Sequence, residues 1–222
     1  MQSANDAAPR AALWDMDGTL LDSAEYHWLA WRETMAGEGM ALTYERFVAS
    51  FGQRNDTILR GWLGDDVAPT TIARISDAKE ARYRELVRER GVALLPGVAH
   101  WLERLRQAGW RQAIASAAPR LNVEAILAAL AIEPFFDAIT SAEDVQRGKP
   151  DPQVFLLAAE RVAVPPARCV VVEDAPAGIE GAWRGGMRAI GVRTSHAGLT
   201  ADLAVDTLAE LPDDAFDRLI GG

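Results

Sequence analysis

Cysteine and lysine are both scarce in this 222-residue chain, and the two scarcities carry different information. The single cysteine, Cys169, can form no internal disulfide, which fits a reducing compartment. No arginine follows it six residues on, so a cysteine-based phosphate loop is excluded. The chain also lacks a G-x-x-x-x-G-K-[ST] phosphate loop and a G-x-S-x-G nucleophile elbow. The longest apolar run, Ala125 to Ile132, is far too short to cross a bilayer. The first ten residues hold no apolar stretch of signal-peptide length. A cytoplasmic protein with no membrane partner is therefore expected. Positive charge is in deficit, with a formal net charge of −9. That argues against duplex nucleic acid as a partner, because a phosphate backbone demands a basic footprint. Small phosphate esters stay open, since a few carboxylates can hold a divalent cation that supplies local positive charge. Of the 23 basic residues only Lys79 and Lys149 are lysines. Coding bias explains an arginine excess, but a surviving lysine marks a place where a compact ammonium fits and a guanidinium does not.

What is present is ordinary globular composition, 49% hydrophobic and 25% charged, enough for one large domain or a domain carrying an insert. Short apolar segments predict strands at Ala11 to Met16, Arg111 to Ser116, Ala138 to Ser141, Cys169 to Glu173 and Ala189 to Val192. Helical patterns at Gly97 to Ala108, Leu121 to Leu130, Pro152 to Val162 and Ala177 to Trp183 lie among them. This alternation predicts an α/β fold, a Rossmann-like parallel sheet with helices on both faces. The region from Asp22 to Val92 breaks the rhythm. Its periodicity predicts helices at Ala24 to Ala36, Tyr44 to Ser50, Asn55 to Trp62 and Thr70 to Arg90. The expected organisation is a Rossmann-like sheet core from residues 1–21 and 93–222, with an all-α insert at 22–92 on two linkers. A cleft between two such units is a natural substrate site.

The strongest local signal is Asp15-Met16-Asp17-Gly18-Thr19 at the end of the first strand. Ligands of open α/β sheets bind beyond the carboxyl ends of strands. Two carboxylates there suit a division of labour, with Asp15 ionised as a nucleophile and Asp17 carrying a proton to a leaving oxygen. The bland alternative is a surface turn, since Asp and Gly favour turns anyway. The other strand ends weigh against it: Ser116 closes the second strand, Lys149 follows the third, and Glu173-Asp174 closes the fourth. Singly these read as a helix cap, a solvated charge and an N-cap. Together they gather carboxylates, a hydroxyl and one of two lysines at one sheet edge.

In that order, DMDGT, the Ser116 strand end, the Lys149 loop and VVVEDAPAG resemble the haloacid dehalogenase superfamily of phosphotransferases over nearly the whole chain. A helical insert directly after the first motif is similar to its small-helical-cap subgroup, which contains sugar-phosphate phosphatases and β-phosphoglucomutase. The resemblance implies that Asp15 attacks phosphorus to form an aspartyl-phosphate, and that Asp17 serves as acid and then base. It implies Mg²⁺ held by the Asp15 carboxylate, the Asp17 backbone carbonyl and Asp174, with Glu173 as neighbour or ligand. Ser116, Ala117 and Lys149 would bind the transferring phosphoryl group. The presence of Asp17 favours phosphate esters over carbon–halogen or carbon–phosphorus bonds, whose cleavage needs no acid at that position.

The cap stretch Asp22 to Trp31 resembles that of β-phosphoglucomutases, and Phe51-Gly52-Gln53-Arg54 resembles their substrate-phosphate loop. His27, Gly52, Arg54 and Lys79 are thereby expected to bind the distal part of a substrate. Two features point away from the mutase. Thr19 is typical of the hydrolases, and Ala117-Ala118-Pro119-Arg120 replaces a polar sugar-contact loop. The expected activity is a Mg²⁺-dependent phosphatase acting on a small phosphorylated metabolite, with the protein a monomer or weak dimer. β-Phosphoglucomutase is the enzymatic alternative, and a catalytically silent metal-binding regulatory module is the non-enzymatic one. His100 and His196 are expected to be structural.

Overall fold

The apolar segments become strands buried on both faces, with no residue alternation left for solvent, as a parallel sheet between helical layers requires. In the computed structural model, which describes residues 8–221, they are β1 (Ala11–Trp14), β2 (Arg111–Ala115), β3 (Ala138–Thr140), β4 (Cys169–Glu173), β5 (Arg188–Val192) and β6 (Leu203–Val205). They form one sheet of order β3-β2-β1-β4-β5-β6, parallel throughout. Trp14, Ile114, Val172 and Ile190 pack on one face against α5 (Val98–Gln107), α6 (Arg120–Leu130) and α9 (Ala215–Ile220). Leu13, Ala113, Val171 and Ala189 pack on the other against α7 (Gln153–Arg161) and α8 (Pro176–Arg184). The outer ends of the expected core, residues 1–7 and 222, lie outside the described residues.

The strand order places the site. From β1 the chain goes to β2 and β3 on one side, then crosses to β4 and β5 on the other. Connections diverge at β1 and leave a crevice beyond its carboxyl end, the position where open α/β sheets take ligands.

Between β1 and α5 lie α1 (Ala24–Gly37), α2 (Tyr44–Val48), α3 (Asn55–Leu63) and α4 (Pro69–Arg90). Proline in the first turn starts α4, and Gly91 at φ 73° ends it, each where the residue costs least. Trp31, Met35, Phe47, Leu59, Ile72 and Ile75 form an apolar centre of these helices. Leu29, Ala30, Tyr83, Leu86 and Val87 instead join the core of the sheet domain. The two connecting segments run side by side, with Leu95 N donating to Leu20 O at 2.9 Å. Strand β6 and helix α9 are not anticipated from the sequence. Three residues are too few to show a period, and the six-residue helix is fixed by burying Ala215 and Phe216.

Thr19 is fully buried, and among the described residues its Oγ1 is the one buried side-chain polar atom without a hydrogen-bond partner. An unmet buried hydroxyl costs about 1–3 kcal/mol. Thr19→Val keeps the branched shape and removes the hydroxyl, so a rise in Tm of roughly 2–12 °C is expected by calorimetry. An unchanged or lowered Tm would mean that the hydroxyl has a partner.

Candidate active site

Three strand ends and one loop converge beyond β1. Asp15 extends that strand by one residue, its amide donating to Val172 O at 3.0 Å. Glu173 ends β4, and Asp174 follows it. Asp15, Glu173 and Asp174 are 7%, 1% and 5% exposed, and one oxygen from each lies within 4.8 Å of the others. Lys149 reaches in from the loop after β3 and donates to Asp15 Oδ1 at 2.5 Å and Glu173 Oε1 at 2.7 Å. Ser116 sits past the end of β2, 1% exposed, its Oγ accepting from Ala118 N at 3.0 Å. Ser116, Ala117 and Lys149 all line one cleft of about 450 Å³ with Asp15 and Asp17.

Two glycines make this packing feasible. Gly18 has φ +83°, and a Cβ there would lie 2.0 Å from Asp174 Oδ2. A Cβ on Gly178, in α8, would lie 1.8 Å from Glu173 Oε1. Each glycine gives its space to a carboxylate.

The electrostatics of the cluster are unbalanced. Burial raises the Asp15 carboxyl, the Lys149 ammonium opposes it, and Glu173 and Asp174 add to it. The net is well above the ordinary range. Burial, then Glu173, pushes Asp174 up to about 7. Burial favours neutral Lys149, but Asp15 and Glu173 outweigh it and hold the ammonium charged. Three buried carboxylates against one ammonium leave negative charge uncompensated. A hard divalent cation bound by oxygen fits that donor set, with Asp15 and Asp174 the carboxylates free of the Ala175 contact that Glu173 makes.

Asp17 faces the other way. Its Oδ1 accepts from Ser23 Oγ at 2.5 Å and lies 3.3 Å from His27 Nε2 and 3.4 Å from Tyr83 OH. Burial pushes its carboxyl up, but His27, Ser23 and the Lys79 ammonium outweigh burial and lower it. Its side chain is not among the three carboxylates that gather within 4.8 Å of one another. Lys79 Nζ lies 2.8 Å from His27 Nδ1. An ammonium can only donate, so Nδ1 accepts, the ring proton sits on Nε2, and Nε2–H points at Asp17. His27 also stacks on Tyr83, ring centroids 4.2 Å apart.

The expected cap residues divide. Arg54 and Gly52 line the cleft, and Arg54 packs over Gly148, next to Lys149. Among the described residues its guanidinium has only Asp56 at 3.3 Å and Ala142 O at 3.5 Å as partners, which leaves it available to an anion. Lys79 also lines the cleft, but it is 2% exposed and its ammonium is directed at His27 and at Glu80 Oε1, 2.8 Å away. Its route to a substrate runs through His27.

Several residues at the site carry no sequence signal. Tyr83 reaches Asp17 across 66 residues, while Ser23 and Glu80 lie close in sequence to the named residues but belong to no motif that assigns them a role. His196, expected to be structural, lines the cleft and lies 3.1 Å from Asp174 O through Nδ1. Its place just after β5, at the carboxyl edge of the sheet, is the clue that could have found it.

No described helix is long and apolar enough to cross a membrane. The model of the haloacid dehalogenase-like hydrolases matches residues 9–186. Protein CbbY of Cereibacter sphaeroides is 36% identical over 215 residues, covering 90% of this chain and 93% of that one. The fructose-1-phosphate phosphatase YqaB of Escherichia coli is 33% identical over 184 residues, 82% of this chain and 95% of its own. The crystal structure of a CbbY mutant from Rhodobacter sphaeroides with xylulose-1,5-bisphosphate superposes with a TM-score of 0.81 at 34% identity, over 91% of this chain and 96% of that one. A match over residues 9–186, which takes in β1 to β4, the inserted helices, Asp15, Ser116, Lys149 and Asp174, makes the chain an enzyme of the haloacid dehalogenase-like hydrolase family.

Proposed function

We propose that the protein is a Mg²⁺-dependent phosphatase of small sugar phosphates, working through a phosphoryl group carried on Asp15. The observation that carries this reading is the convergence of Asp15, Lys149 and the Glu173–Asp174 pair at one strand tip, facing a cleft that Arg54 also lines. The sugar-phosphate class is supported by the relatives named above.

In the first step Asp15 Oδ attacks phosphorus, the ester P–O bond breaks, and the leaving oxygen takes a proton from Asp17. In the second, water attacks the same phosphorus, the Asp15 bond breaks, and the proton of water passes to Asp17, which is thereby reset. Lys149 and the Ser116 hydroxyl neutralise and position the phosphoryl oxygens, which is most of what phosphoryl transfer asks of a protein. When bound, Mg²⁺ adds charge neutralisation at the phosphoryl group and offsets the Asp15–Asp174 repulsion. The hydrogen bonds from Ser23 and His27 favour ionised Asp17, the form that accepts a proton from water.

The direct experiment is Mg²⁺ with a panel of phosphate esters, including fructose 1-phosphate and xylulose 1,5-bisphosphate. Release of inorganic phosphate is expected, and none from any ester would sink the reading. An arm with β-glucose 1-phosphate and a bisphosphate primer tests the mutase. Glucose 6-phosphate forming faster than free phosphate would establish that activity instead.

The cation leaves a thermodynamic signature as well. With Asp174 near 7 in the folded protein and about 4 unfolded, the metal-free fold holds a proton between those values that the unfolded chain has lost. Stability from this group therefore falls as pH rises from about 4 to 7. A cation that replaces the proton stabilises more once the proton is gone. The Mg²⁺-induced rise in Tm is expected to be several degrees larger at pH 8 than at pH 5. Equal rises at both pH values would remove this cluster as the binding site.

A further inference from the structure

One cap carboxylate makes three contacts that neither the motifs nor the proposed chemistry uses. Glu80, in α4, is 6% exposed. Its Oε1 accepts from Lys79 Nζ at 2.8 Å and from Asn55 Nδ2, at the start of α3, at 2.7 Å. Its Oε2 accepts from Asn122 Nδ2 at 2.5 Å. Asn122 belongs to α6 of the sheet domain and is fully buried. Its amide oxygen is taken in turn by Arg84 Nη1, at 2.8 Å, one turn further along α4. Positions 80 and 84 share a helix face. A cap carboxylate and a cap guanidinium therefore read both halves of one core amide, acceptor to donor and donor to acceptor.

We propose that Asn122 is a positioning residue: the clasp of Glu80 and Arg84 on its amide holds the cap against α6 and sets the Lys79–His27 pair on Asp17. This rests on the phosphatase reading, because Asp17 is the group that moves the proton. The physical chain is short. Asn122 fixes Glu80, Glu80 fixes the Lys79 ammonium, and Lys79 fixes the His27 tautomer whose Nε2–H meets Asp17. The Asn55 contact ties the start of α3, beside Arg54, to the same carboxylate. One oxygen pair thus sets the acid–base group and the cleft wall in register with the core.

The test is a charge transposition. Asn122→Asp alone sets two buried carboxylates in contact and should lower kcat about 30- to 100-fold with KM little changed, the scale of a small misplacement at a reacting centre. In the Glu80→Gln/Asn122→Asp double variant, the side-chain amide introduced at position 80 offers its oxygen to Lys79 and Asn55. Its NH₂ donates to the carboxylate introduced at position 122, whose other oxygen still meets Arg84. Every hydrogen bond is restored with the charge moved across the interface, so kcat should return to within about threefold of wild type. If Asn122→Asp does not fold, Glu80→Gln alone is the reference, and adding Asn122→Asp to it should raise kcat. A kcat per folded molecule that Asn122→Asp leaves within twofold, or a double variant no better than either single one, would overturn the proposal. Should the wild type release phosphate from no ester, the phosphatase reading fails separately. The clasp is then judged by hydrogen exchange over residues 80–90 and 120–126, faster in Asn122→Asp and restored in the double variant. Unchanged exchange would overturn it.

Discussion

Asp15→Asn is expected to abolish phosphate release, by about 10⁴-fold or more, while the protein stays folded. The amide keeps the shape of the carboxylate but has no charge with which to attack phosphorus. Folding is spared for a reason visible in the cluster. Asp15 is one of three buried carboxylates sharing a single ammonium, and removing its charge relieves repulsion. Lys149 keeps Glu173 as its partner at 2.7 Å. Tm should therefore hold or rise. Retention of activity within tenfold of wild type would transfer the nucleophile role elsewhere.

Gly178→Ala should be severely damaging despite its small size. Glycine to alanine inside a helix ordinarily stabilises by about 1 kcal/mol. Here the new Cβ would fall 1.8 Å from Glu173 Oε1 and 2.0 Å from its Cδ. Glu173 cannot step aside cheaply, because it is 1% exposed and holds both Lys149 and the Ala175 amide, the latter at 2.7 Å. Displacing it breaks hydrogen bonds to a charged group, a loss of about 2–3 kcal/mol and roughly 5–10 °C in Tm. It also releases Lys149 from the alignment that holds it on Asp15, so a fall of about 10²-fold in kcat/KM is expected. Gly37→Ala is the control. A Cβ there meets nothing within 4 Å, and Tm should stay level or rise. Equal Tm changes in the two variants would contradict the packing argument.

The sheet was legible because buried parallel strands are short apolar runs separated by helices of sufficient length, and Cys169–Glu173 has the expected bounds to the residue. Helix α4 was legible from its period, which predicted Thr70 to Arg90; the helix begins one residue earlier, at Pro69. The strand-end residues could be placed at one edge because parallel strands all present the same end. The orientation of Asp17 was not legible. Its turn can aim the side chain at the metal cluster or at the cap, and partners 6, 10 and 66 residues away decide for the cap. The same holds for Lys79. Sequence places it on α4, but only the packing of α1 and α6 turns its ammonium toward His27 and Glu80. Contacts between Glu80 and Asn122, 42 residues apart, follow no local pattern that a single sequence displays.

The central claim is that Asp15 carries the phosphoryl group, and it can be observed on the residue itself. An aryl phosphate has a leaving group that needs no proton, so an Asp17→Asn variant should still be phosphorylated while its hydrolysis, deprived of the base, is slow. The variant is mixed with Mg²⁺ and the aryl phosphate, quenched in acid within seconds, digested and analysed by mass spectrometry. The phosphoryl increment should fall on the peptide containing Asp15 and vanish in an Asp15→Asn background. Aryl alcohol released with no increment on Asp15, or with an increment on another residue, would contradict the account.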